Sequence, residues 1–108
     1  MDIELTGTTQ KKNIAVLQNP ALKLLFNQPQ VNGYSLELKS ANNLQLPASA
    51  GGYLLIGKSE TVIEFKTNTS VQDRIMKPSH YIWTEPGNKL TIKNMHDQEA
   101  SFVLLQFK

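Results

Sequence analysis

The feature that most constrains this chain is its period of two. Apolar and polar residues alternate in short runs, among them Glu60–Phe65 (ETVIEF), Leu90–Lys93 (LTIK) and Ser101–Phe107 (SFVLLQF). A helix cannot bury such a pattern on one side, whereas a strand places alternate residues on one face. Clusters of Gly, Asn, Asp and Pro separate the runs: Asn32-Gly33, Ser40–Asn43, Gly51-Gly52, Gly57-Lys58, Thr67–Ser70, Pro86–Asn88 and His96–Gln98. Each offers residues that let a backbone reverse. Tyr53–Ile56 is a continuous apolar run, as expected of a strand covered on both faces or of a short buried helix. Pro20–Phe26 (PALKLLF) reads as a strand, with one helical turn capped by Asn19 as the alternative. Short strands at this spacing predict an all-β sandwich or barrel.

The length, 108 residues, predicts one domain able to bury an independent core. There are no cysteines, so disulfides, thiolate metal sites and cysteine nucleophiles are excluded. No apolar run approaches the roughly 20 residues that span a bilayer, and the start MDIELTGTTQKKN lacks a basic-then-apolar signal. The expectation is a soluble, cytoplasmic protein with no membrane partner, in which Asn68-Thr69-Ser70 is a polar turn and not a glycosylation site. The net charge is +2, and of the eleven basic side chains only Lys11 and Lys12 are adjacent. Such dispersal suits solubility and edge protection better than a nucleic-acid surface, so no nucleic-acid partner is expected.

The stretch Ser79–Asn94 (SHYIWTEPGNKLTIKN) carries a resemblance. Gly87 and Asn94 match the spacing of the second motif of the cupin family: Gly, five residues, Pro, one residue, Gly, two residues, His, three residues, Asn. Ser79 stands at the first Gly, Glu85 at the Pro (with Pro86 beside it) and Leu90 at the metal-binding His. Upstream, Tyr34–Lys39 resembles the strand entering the first motif, Ser40–Asn43 its turn, and Tyr53–Gly57 its glycine-terminated strand. The resemblance implies a double-stranded β-helix, a cupin or jelly-roll-like barrel of about ten short strands. One domain would span 1–108, with a strand or arm over 1–22 and the barrel over 23–107. It also implies that Leu44, Leu46, Ala50 and Leu90 occupy positions where the family holds a metal. Leucine and alanine have no lone pairs to coordinate an ion, so no cofactor and no metal are expected.

Leu44 and Leu46 should face inward together, as should Leu90 and Ile92, giving either a packed interior or an apolar pocket. With Tyr53, His80, Tyr81 and Trp83 they form the candidate set for the barrel interior and mouth. His96 beside Asp97 reads as a solvated turn, and Trp83 reads as packing or as a ligand anchor. The carboxylates form no pair that the spacing places, and neither a Ser-His-Asp arrangement nor a phosphate loop is present. Three functions follow. The first is a metal-independent module that binds a small apolar or amphipathic ligand or acts in regulation. The second is a metal-independent isomerase or epimerase for a sugar or small acid, with His80, Tyr81 or Glu85 as base. The third is a structural or interaction domain. Phe102–Phe107 is apolar on both faces, which predicts a homodimer.

Overall fold

The computed structural model describes residues 16–108. Nine strands occur among them: β1 (Leu22–Asn27), β2 (Val31–Leu38), β3 (Asn43–Leu46), β4 (Tyr53–Gly57), β5 (Thr61–Lys66), β6 (Val71–Met76), β7 (Tyr81–Thr84), β8 (Leu90–Asn94) and β9 (Ala100–Phe107). The expected strand or arm over 1–22 lies mostly outside the described residues. No helix occurs among the described residues.

The strands form two antiparallel sheets, one of five in the order β1-β2-β9-β4-β7 and one of four in the order β3-β8-β5-β6. From β2 onward the chain changes sheet at nearly every step, and only the β5–β6 hairpin stays within one. The alternation read from the sequence is the alternation of burial. β9 buries Ala100, Phe102, Leu104 and Gln106 and leaves the residues between them half-buried. β5 buries Thr61, Ile63 and Phe65, and β8 buries Leu90, Ile92 and Asn94. These inward faces share one core with Tyr34, Leu36, Leu38, Leu44, Leu55 and Ile82. Each fully buried large apolar side chain contributes about 1.5–3 kcal/mol.

Two local readings are resolved or corrected. Pro20–Phe26 enters as a turn and continues as β1: Asn19 Oδ1 accepts from Ala21 N at 2.9 Å, and Asn19 O accepts from Leu22 N at 2.9 Å. Asn19 thus caps a turn that feeds a strand. Asn32-Gly33 is not a turn; both residues lie within β2. The reversal falls at Gln28–Gln30, closed by Gln28 N donating to Val31 O at 2.9 Å. Gly33 serves a different purpose, because the Phe26 ring lies over it. A Cβ at Gly33 would sit 2.3 Å from that ring.

The Pro86-Gly87 turn forms as expected, with Gly87 at φ +86°. Asn94 holds the opposite end of the barrel. It is fully buried, its Nδ2 donates to Leu38 O (2.9 Å) and Gln98 O (2.8 Å), and its Oδ1 accepts from Thr61 Oγ1 (3.0 Å) and His96 N (2.9 Å). One side chain therefore joins β2, the start of β5 and the loop before β9.

Candidate ligand site

β3 and β8 pair so that Leu44 lies opposite Ile92 and Leu46 opposite Leu90. All four side chains point inward and are at most 4% exposed. Three of the positions where the cupin pattern places a metal ligand, Leu44, Leu46 and Leu90, are therefore occupied by close-packed hydrocarbon. Ala50, the fourth, is exposed in the turn before β4 and does not share that interior. Its buried neighbour Ser49 instead donates through Oγ to Phe107 O. No group of three or more His, Asp or Glu that could hold a metal occurs among the described residues. The side chains at these positions do not fit a metal centre, since none can donate an electron pair.

On the opposing sheet, the same end of the interior is polar. Asn32, Gln106, Tyr53 and Thr84 are direct cross-strand partners along β2, β9, β4 and β7. All four are buried. Tyr34, one inward position along β2, joins them. Its Oη donates to Gln106 Oε1 at 2.9 Å and accepts from Leu17 N at 3.0 Å and Asn32 Nδ2 at 3.3 Å. Asn32 Nδ2 also approaches Gln106 Oε1 at 3.4 Å. Tyr53 Oη donates to Pro47 O at 2.6 Å, fastening the β3–β4 connection to the sheet. Asn32 Oδ1 and Thr84 Oγ1 are buried with no hydrogen-bond partner among the described residues. Such a group costs about 1–3 kcal/mol if left dry, so this end of the core carries unused hydrogen-bonding capacity.

A cleft of about 390 Å³ opens beside this row, between Leu17–Asn19, Leu22, the β3–β4 connection and the end of β9. Leu46 from the aliphatic quartet and Gln106 from the polar row both line it.

Of this row the sequence reading names only Tyr53. Asn32 was read as a turn residue, and Gln106 was absorbed into an apolar strand. The available signal was phase: Gln106 stands two and four positions from Leu104 and Phe102, so it must face inward with them.

Three other candidates lie elsewhere. His80 is exposed just before β7, and Tyr81 and Trp83 are 67% and 44% exposed on the outer face of the five-stranded sheet. The residue between them, Ile82, takes the interior position. His80, Tyr81 and Trp83 therefore do not enter the barrel interior, which corrects that part of the expectation. The phase of β7 sends the odd-numbered pair outward. Trp83 packs on Phe107 with ring centroids 5.7 Å apart. Tyr53, by contrast, is fully buried at the candidate site.

Burial, and secondarily the neighbouring Tyr34, push the Tyr53 phenol up to about 12. Folding therefore retains a proton that the unfolded chain releases near pH 10. The contribution of Tyr53 is complete below about pH 10 and is lost as pH rises towards 12. Phenolate absorbance during alkaline titration should show a late step that accompanies unfolding, and Tyr53→Phe should remove that step. An early titration of all tyrosines with the fold intact would contradict the assignment.

No family model matches the sequence, and no curated protein matches it. Solved structures do match. A cupin domain from Bordetella pertussis superposes with a TM-score of 0.69 at 12% identity, covering 86% of this chain and 99% of that one. A Cupin 2 conserved barrel domain protein from Salinispora arenicola gives 0.67 at 11% identity, over 99% and 91%. The Cupin_2 domain of an XRE family transcriptional regulator from Enterobacter cloacae gives 0.67 at 17% identity, over 81% and 94%. The two facing antiparallel sheets, the chain's passage between them and these superpositions together identify the fold as the double-stranded β-helix of the cupins.

Proposed function

We propose that this protein is a metal-independent cupin-type module that acts as a homodimer and holds a small apolar or amphipathic ligand. The observation that carries the reading is the Leu44–Leu46–Leu90–Ile92 quartet, which fills the place of a metal centre with hydrocarbon beside a buried polar row. A fold that keeps its container while removing coordinating groups is suited to binding. That a transcriptional regulator carries a domain of this fold is in keeping with such a role. The catalytic alternative needs a base from His80, Tyr81 or Glu85, and all three are exposed outside the interior.

Dimerisation is supported by the outer face of the five-stranded sheet. Two cross-strand rows run over it, Trp83–Leu54–Leu105–Gly33 and Tyr81–Ile56–Val103–Ser35. Phe26 covers Gly33 at the end of the first row. A contiguous apolar surface of this kind marks an interaction site, and a second copy meeting it about a two-fold axis would cover both rows at once.

Elemental analysis of purified protein should find no stoichiometric transition metal; a bound metal at one per chain would overturn the reading. Light scattering should give twice the 12.1 kDa chain mass. Val103→Glu should halve that value while leaving the circular dichroism spectrum unchanged. A monomeric wild-type protein would remove the dimer from the proposal.

A further inference from the structure

Gln106 is the one inward residue of β9 that is not apolar, and it is 3% exposed. Burying a glutamine costs up to about 2 kcal/mol in side-chain entropy and requires its amide to be paired. Only half of that amide is paired among the described residues. Tyr34 fixes which half: its oxygen already accepts from Leu17 N and Asn32 Nδ2, so its proton must go to an acceptor, which is Gln106 Oε1. The Gln106 Nε2 group is thereby turned away from Tyr34, and its two N–H donors have no acceptor among the described residues. Gln106 lines the 390 Å³ cleft, whose walls include Leu17, Leu22, Leu46 and Pro47. No side chain lining the cleft is charged. Its volume falls in the range of small-molecule sites, about 300–1,000 Å³.

We infer that this cleft binds an uncharged small molecule with an aliphatic body and a carbonyl or hydroxyl oxygen, and that Gln106 Nε2 donates to that oxygen. The aliphatic walls take the body. The orientation imposed by Tyr34 makes Gln106 a directional donor. A carboxylate of the same length is disfavoured, because entering the cleft would strip its hydration without a cation to replace it. The inference rests on the metal-free binding role proposed above and specifies its ligand class.

The test uses γ-nonalactone and 2-nonanone as neutral probes and nonanoate as the charged one. Binding is followed by calorimetry and by the side-chain amide resonances of Gln106 in ¹⁵N spectra. At least one neutral probe should bind and shift the Gln106 NH₂ pair, with nonanoate weaker by about tenfold or more. Gln106→Leu should weaken the neutral probe by about tenfold, the effect of one lost hydrogen bond. Ala48→Trp, at an exposed position on the rim, should block binding without disturbing the core, and serves if the Gln106 variant fails to fold. The inference is overturned if no neutral probe moves the Gln106 resonances, if nonanoate binds equally well, or if neither variant weakens binding. Finding a bound metal would instead sink the metal-free role, so the two failures are distinguishable.

Discussion

Asn94→Ala is expected to destabilise the fold by about 3–4 kcal/mol, lowering the thermal midpoint by about 15–25 °C. The size follows from what the substitution leaves behind. Thr61 Oγ1 is buried and loses its acceptor, while the carbonyls of Leu38 and Gln98 and the amide of His96 lose their side-chain partner. An unsatisfied buried group costs about 1–3 kcal/mol, more than the net gain from a hydrogen bond formed. Most of the effect therefore comes from the stranded partners and less from the missing amide. A double-mutant cycle separates the two. Thr61→Val should cost less in the Asn94→Ala background than alone, because the stranded hydroxyl is then absent. Additive effects, or a midpoint within a few degrees of wild type, would show that Asn94 is an ordinary turn residue.

The second large effect is expected from Leu90→His, which places an imidazole where the cupin pattern has one. The variant should lose about 3 kcal/mol, because a polar ring enters a position only 1% exposed with Leu46 directly opposite. Burial disfavours the charged ring, so the folded-state pKa falls below the unfolded value near 6.5. The unfolded chain then takes up the proton first, and the deficit should deepen as pH falls from 8 through the unfolded pKa. Zinc or nickel should not restore the midpoint. Leu44 and Leu46 offer no second donor, and a lone imidazole binds too weakly to shift a folding equilibrium by mass action. Recovery on adding metal would mean that a coordinating set exists near Leu90 after all. Chemical denaturation at two pH values, with and without the ion, reads both parts of the expectation.

The strands were legible because alternation is a direct print of the pleat. Ile63, Phe65, Leu90, Ile92, Phe102 and Leu104 all face inward in the phase that their spacing dictates. The aliphatic quartet was legible for the same reason. Local rules failed where tertiary contacts override them. Asn-Gly is a strong hairpin signal, yet Asn32-Gly33 stays extended because β9 pairs along it and Phe26 needs the space over Gly33. The phase of β7 could not be read from aromatic content. Tyr81 and Trp83 look like core residues, but Ile82 and Thr84 take the interior. The polar row was the least visible part, since Asn32, Tyr53, Thr84 and Gln106 lie on four different strands and become neighbours only through register.

The position of β9 has a consequence for synthesis. Among the nine described strands β9 is the central one of its sheet, between β2 and β4, and it is synthesised after the other eight. Until Ala100–Phe107 emerges, those two earlier strands present unpaired inner edges and the sheet cannot close. Closure of the sheet therefore waits on pairings between distant parts of the chain, and a nascent chain stalled before Ala100 should remain sensitive to protease.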